Sequence, residues 1–174
     1  MSAGEILIVS YDSQWPSLFE REAERIGALL GPRAVRIEHT GSTSVPGLVA
    51  KPIIDVLLVV EDSADEDSYA PALESGGYTL RIREPEWHEH RMFNGPDTAV
   101  NLHVFSSGCP EIDRILVFRD WLRCNRADRD LYAATKLALA RREWNHVQEY
   151  ADAKTAVIEE IIERACRNCR HADL

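Results

Sequence analysis

The chain has 174 residues, is 45% hydrophobic and carries a formal net charge of −9. That length suits one domain, and the apolar fraction is enough to build a core. The negative charge excludes broad electrostatic binding to nucleic acid, which needs a surplus of Lys and Arg, and no apolar run approaches the roughly 20 residues of a membrane helix.

The opening residues, MSAGEILIVSYD, lack a basic region followed by a long apolar core. No signal peptide is therefore expected, and the chain reads as cytoplasmic. Asp12 or Ser13 is placed to cap a first helix, with Pro16 in its first turn. Leu18, Phe19, Ala23, Ile26, Leu29 and Leu30 form its apolar stripe, and Gly31-Pro32 ends it. A strand is predicted over 34–38 and another over 53–60. The acidic run Glu61 to Asp67 leads into a helix ending near Gly76-Gly77, with most of its charges on a solvated surface. Strands are predicted over Tyr78 to Arg83, Arg91 to Asn94 and Ala99 to Phe105, the last two joined by the turn Asn94-Gly95-Pro96-Asp97. From Pro110 the pattern becomes helical, and three helices are predicted at about 110–125, 127–145 and 147–168. The whole reads as a single α/β (α+β) domain over 1–174. A mixed sheet with flanking helices fills about 1–106, and a C-terminal helical segment fills about 107–174.

The stretch Glu38 to Val60, EHTGSTSVPGLVAKPIIDVLLVV, concentrates the chemistry. Gly41 and Ser42 open a hydroxyl-rich loop that continues through Thr43 and Ser44 to Pro46, Gly47 and Lys51. A tight Gly-Ser turn presents N–H groups and hydroxyls to phosphate oxygens. An almost wholly apolar strand follows, and its one charge is Asp55. A carboxylate on an adjacent strand can hold a divalent metal against the same phosphates. Left unpaired among Ile53, Ile54, Val56, Leu57 and Leu58 it would be costly. The bland alternative is a strand-end carboxylate bonded to backbone N–H groups.

Residues two apart on a strand share a face. Asn101, His103 and Phe105 therefore face one way, and if that is the side of Asp55, His103 is a metal ligand or an acid–base. A core histidine donating to a carbonyl is the competing reading. His39 precedes the loop, placed to orient it or to bond Asp55. Glu38 and His39 point oppositely on a continuous strand, so at most one faces the cleft. His88-x-His90 puts two imidazoles on one face if it is strand, although His88 sits in a Glu-rich segment that reads as exposed. Arg91 suits bidentate phosphate binding. Arg119 with Arg123, Tyr132 with Lys136, and Tyr150 with Lys154 are each spaced to share a helix face. The cysteines, Cys109, Cys124, Cys166 and Cys169, are expected to be reduced. Cys166-x-x-Cys169 with His171 has a zinc-like spacing but no second Cys pair opposite.

The Gly-Ser loop followed by a strand carboxylate resembles the nucleotidyltransferase superfamily. More closely, the chain resembles the GrpB family over nearly its whole length. Tyr11-Asp12-Ser13-Gln14-Trp15-Pro16 with Phe19, the loop Gly41 to Leu48, Lys51-Pro52-Ile53-Ile54-Asp55, and His90-Arg91 carry that resemblance. Asn101-Leu102-His103-Val104-Phe105, Phe118-Arg119-Asp120-Trp121-Leu122-Arg123, Tyr132 with Lys136 and Tyr150 with Lys154 continue it in order. It implies a nucleotidyltransferase-like fold that binds a nucleotide or another phosphate-bearing small molecule, with Mg²⁺ as the expected cofactor. Gly41, Ser42, Thr43, Ser44, Lys51 and Arg91 would meet the phosphates. Asp55 and His103 would be the metal ligands and catalytic pair, with His39 and His90 in secondary roles. Tyr132 and Lys136 would close the cleft, as a helical segment does in the superfamily. The superfamily pattern Asp-x-Asp is broken, because Leu57 stands where the second carboxylate belongs. Two functions follow: transfer of a nucleotidyl group to a small acceptor, or a non-catalytic anion-binding or accessory module. GrpB-like domains fused to dephospho-CoA kinase point to the second.

Overall fold

The computed structural model of the protein describes residues 6–171, and the side chains of all of these except Val147, Cys169, Arg170 and His171. The zinc-like spacing Cys166-x-x-Cys169 with His171 therefore lies in part outside the described residues.

Helix α1 (Trp15–Leu30) opens the fold. Its N-cap is Gln14, one or two residues later than the sequence suggests, and no side chain caps it. Asp12 instead folds the chain into the helix, its side chain accepting from the Gln14 N–H and its carbonyl from the Trp15 N–H. Strand β1 (Arg36–Thr40) starts two residues beyond the predicted position. Strand β2 (Ile54–Val60) follows the loop. Helix α2 (Ala70–Ser75), strands β3 (Thr79–Glu84), β4 (His90–Asn94) and β5 (Val100–Ser106) complete the first half.

The sheet order is β1-β2-β5-β4-β3. Strands β2 and β5 pair in parallel, and every other pairing is antiparallel. The mixture explains the run of apolar residues in β2. It is an interior strand covered on both faces, so alternation with polar residues disappears. On one face Ile54, Val56, Leu58 and Val60 meet Ile26 and Leu30 of α1 and Leu73 of α2. On the other, Leu57, Val59 and Phe105 meet Ile112 and Leu116 of helix α3 (Pro110–Cys124).

The helical segment continues with α4 (Arg126–Ala140), capped by the Asn125 side chain on the Asp128 N–H. The predicted third helix is two: α5 (Val147–Ala153) and α6 (Thr155–His171). The break falls at Lys154. Leu122 of α3, Tyr132 of α4 and Ile161 of α6 gather around Val45 and Leu48 of the loop after β1. The helical segment is thus packed against the loop that holds Ser42.

Candidate functional site

Gly41 turns the chain out of β1 at φ 67°, a left-handed conformation that favours glycine. A Cβ there would lie 2.3 Å from Oδ2 of Asp55, so the loop backbone and the carboxylate touch only because residue 41 has no side chain. Residues Ser42–Ser44 form a single 3-10 turn. The Ser44 hydroxyl donates back to the Gly41 carbonyl at 2.5 Å, which makes Ser44 a structural residue of the turn. Ser42 and Thr43 face a cavity of about 260 Å³.

His39 lies on the α1 face of the sheet, stacked on Phe19 with centroids 4.8 Å apart. Its Nε2 meets Thr43 Oγ1 at 2.9 Å, so it orients the loop. Burial, reinforced by Arg123, pushes its pKa down to about 4, leaving a neutral ring at physiological pH. Glu38 points the other way, as alternation requires, and is bound by Arg119 at 2.6 Å. Arg119 also donates to the His39 carbonyl, and Arg123 donates to the Ser44 carbonyl at 2.9 Å. The paired arginines of α3 thus clamp the end of β1 and the loop.

Asp55 also lines the cavity, beside Asn101, its register partner on the parallel strand β5. His103 shares the Asp55 face, with Nε2 3.5 Å from Asp55 Oδ1. Leu57 is fully buried beneath α3 with Phe105, Ile112 and Leu116. The position that holds a second carboxylate in Asp-x-Asp is here part of the core, with no water for a charge.

Three lysines complete the cavity: Lys51, Lys136 and Lys154. Lys136 is 2% exposed and donates to Ser42 Oγ at 2.7 Å and to the Val49 carbonyl. Its ammonium stands 4.8 Å from the Tyr132 ring centroid. Lys51 and Lys154 each stand 4.6 Å from the ring of Tyr150. Burial lowers all three pKa values, to about 7 for Lys136 and about 8 for Lys154, each opposed by the negative charge of Asp55. Among the described residues no carboxylate lies within ion-pair distance of any of them. Tyr150 is buried, and its hydroxyl has no hydrogen-bond partner among the described residues.

Arg91 is placed elsewhere. It projects from the opposite face of β4, where Glu66 and Glu89 hold it. Glu66 also binds Arg83, so this member of the acidic run is half-buried in an ion network and not an isolated solvated charge. His88 sits in the turn between β3 and β4 with φ 56° and is exposed, so it shares no strand face with His90. His90 is buried and bonds His103, Nε2 to Nδ1, at 3.0 Å.

Sequence reasoning put Tyr132 and Lys136 in the site and left Tyr150 and Lys154 outside it. The signal was available, because both pairs share the spacing Tyr-x-x-x-Lys. An unbroken helix over 147–168 gives no reason to single out the second pair, whereas in the structure α5 ends at Lys154 and both residues line the cavity.

The GrpB protein family model matches residues 5–164. The chain is 64% identical over 160 residues to the UPF0157 protein BH1888 of Halalkalibacterium halodurans, covering 92% of this chain and 82% of that protein. A dephospho-CoA kinase of Mycobacterium tuberculosis is 27% identical over 184 residues, and the match spans 91% of this chain but 45% of the kinase. The crystal structure of conserved protein GrpB from Enterococcus faecalis superimposes with a TM-score of 0.82 at 32% identity, covering 93% of this chain and 98% of that one. The structure of Cid1 in complex with its short product ApU gives a TM-score of 0.53 at 9% identity, covering 73% of this chain and 41% of Cid1. That likeness is one of fold alone, and the fold is nucleotidyltransferase-like.

Proposed function

The chain belongs to the GrpB family, and from that premise and the cavity geometry we propose that it binds a phosphate-bearing small molecule of the nucleotide class. The observation that carries this reading is the set of three lysines, unpaired with any carboxylate among the described residues, around a Gly-Ser turn. Holding a buried Lys136 and half-buried Lys51 and Lys154 around one cavity is unfavourable, and their lowered pKa values show that the charge of Asp55 offsets the cost only in part. A polyphosphate supplies the missing charge, restores full protonation and offers acceptors to Ser42 and Thr43. Tyr150 lines the same cavity, and its hydroxyl has no hydrogen-bond partner among the described residues.

Binding is the step this geometry supports best. Nucleotidyl transfer is the second reading, favoured by the nucleotidyltransferase-like fold and by Asp55 beside the phosphate site. The Mg²⁺ chemistry of that superfamily does not fit the donors present. Mg²⁺ prefers a shell of hard oxygen ligands, and two-metal transfer needs carboxylates shared between ions. Here Leu57 removes one carboxylate and an imidazole stands beside the other. The non-catalytic module is therefore the better match to the site.

Calorimetric titration with each nucleoside triphosphate, and with inorganic tripolyphosphate, in EDTA tests the binding reading. Heat of binding that disappears in the Lys136→Met, Lys154→Met double variant supports it. Absence of binding by all these ligands to the wild-type protein overturns it. Release of pyrophosphate on adding a nucleoside triphosphate and a divalent ion would move the conclusion to transfer.

A further inference from the structure

A chain of hydrogen bonds runs across three strands and ends at the cavity. Arg81 on β3 falls where the register with β4 shifts, between the pairs Leu80–Phe93 and Ile82–Met92. An irregularity of this kind re-aims a side chain, and Arg81 Nε donates to Asn94 Oδ1 at 3.1 Å. A guanidinium has only donors, so the atom that it meets is the amide oxygen. The Asn94 nitrogen therefore faces the other way. It donates to Asn101 Oδ1 at 3.1 Å and to the Val100 carbonyl at 3.4 Å. A carbonyl only accepts, so Val100 fixes the same orientation independently. Asn101 Oδ1 is thus engaged on the β4 side. The Asn101 amide nitrogen faces the β2 side, and among the described residues it has no hydrogen-bond partner.

Asp55 stands on that side. It is the register partner of Asn101 on the neighbouring parallel strand, and both line the cavity. Neighbouring strands lie about 4.8 Å apart, so a fixed donor and an acceptor stand side by side on the cavity wall. The amide nitrogen only donates and a carboxylate only accepts. A phosphate oxygen suits Asn101 but is repelled by Asp55. An ammonium suits Asp55 and leaves Asn101 unmet. A hydroxyl group serves both, giving its proton to Asp55 and accepting from Asn101.

We propose that Asn101 and Asp55 form a hydroxyl-binding pair, so that the ligand of this cavity is a phosphorylated sugar, free or as part of a nucleotide, and not a bare polyphosphate. The inference rests on the phosphate-binding reading: the lysines and the Gly-Ser turn take the phosphate, and the pair takes a sugar hydroxyl against the sheet. The cavity of about 260 Å³ is at the small end for ligand sites, which suits a phosphate and a sugar with any further group lying outside. Asn101 and Asp55 are the binding residues. Arg81 and Asn94 are positioning residues, because they hold the Asn101 amide in the orientation that offers a donor.

Calorimetric titration in EDTA with ATP, 2′,3′-dideoxy-ATP, ribose 5-phosphate and inorganic tripolyphosphate tests the pair. The wild-type protein is expected to bind ATP about tenfold more tightly than dideoxy-ATP. Asn101→Leu should erase that margin, weaken ribose 5-phosphate by a similar factor and leave tripolyphosphate unchanged. Arg81→Met should narrow the margin, again without an effect on tripolyphosphate, and Arg81→Lys, which keeps a donor for Asn94, should restore part of it. Melting curves establish that each variant is folded. A margin seen with ATP identifies a nucleotide as the ligand, and an Asn101 effect confined to ribose 5-phosphate identifies a free sugar phosphate. If tripolyphosphate binds but Asn101→Leu changes neither ATP nor ribose 5-phosphate relative to it, the hydroxyl pair is overturned and the phosphate reading stands. An equal loss for all the ligands also overturns it, since Asn101 then acts on the phosphate or on the fold. If none of them binds the wild-type protein, the phosphate reading falls and the hydroxyl pair falls with it.

Discussion

The ammonium of Lys136 donates to the hydroxyl of Ser42 at 2.7 Å, joining residues 94 positions apart. That bond ties α4 to the turn after β1. It makes the helical segment a wall of the cavity beside Asp55 and not an appendage to the sheet.

Replacing Lys136 by Met keeps the apolar stem and removes the charge. A charge-assisted hydrogen bond contributes roughly 1.5–3 kcal/mol, so triphosphate affinity should fall about 10- to 100-fold. Nucleoside affinity should change little, since no phosphate is present. Titration of both ligands checks this, and equal losses would remove Lys136 from the phosphate site.

Ser42→Ala takes away both a donor to the ligand and the acceptor that holds Lys136. Tripolyphosphate affinity is expected to drop about tenfold, with a melting temperature lowered by only a few degrees. Unchanged affinity would show that Ser42 does not touch the anion.

Protonation gives a pH signature. The lysine pKa values of about 7 for Lys136 and about 8 for Lys154 lie below the unfolded value of 10.5. Between those limits the unfolded chain binds more protons than the folded one, so each lysine makes stability rise with pH across that window. Below about pH 7 the full cost of the buried charges is present. Lys136→Met should flatten the rise between pH 7 and about 10, measured by urea denaturation. Ligand binding has the opposite sign. A polyanion favours charged lysines, so its binding at pH 8 should take up protons and weaken as pH rises. Calorimetry in two buffers of different ionisation enthalpy reads that uptake, and identical heats would contradict it.

Arg91→Met should separate stability from binding. It removes the partner of Glu89 and leaves Glu66 paired with Arg83 alone on the far face of the sheet. Both carboxylates keep contact with water, so the change is expected to cost about 1–2 kcal/mol, seen as a lower urea midpoint. Tripolyphosphate affinity, measured on the folded fraction, should stay the same. A selective loss of affinity would return Arg91 to the site.

Gly41→Ala tests the contact between loop and carboxylate. The added methyl meets Asp55 Oδ2 and must also adopt a positive φ. A destabilisation of roughly 1–3 kcal/mol is expected, together with weaker tripolyphosphate binding as the turn shifts. A melting curve superimposable on the wild type would show that the turn relaxes freely.

Much of this protein was legible in the sequence because its signals are local. The apolar run around Asp55 announces an interior strand, Gly41-Ser42 announces a tight turn, and period-two alternation already separates Glu38 from His39. The Tyr132 and Lys136 spacing likewise fixes one helix face. What alternation cannot say is which faces of separate strands coincide. The parallel pairing of β2 with β5 decides that Asp55 and His103 share a side. The antiparallel pairing of β4 with β5 decides that His90 joins them while Arg91 does not. The placing of α5 brings a second lysine–tyrosine pair to the cavity, and the helix ends at Lys154 where the sequence pattern reads as continuous. The physical reason is common to all three. Strand periodicity and helix spacing are set by the backbone of each segment. Strand order, register and helix interruption are set by the packing of α3, α4 and α6 against one sheet face and the loop, which involves residues far apart in the chain.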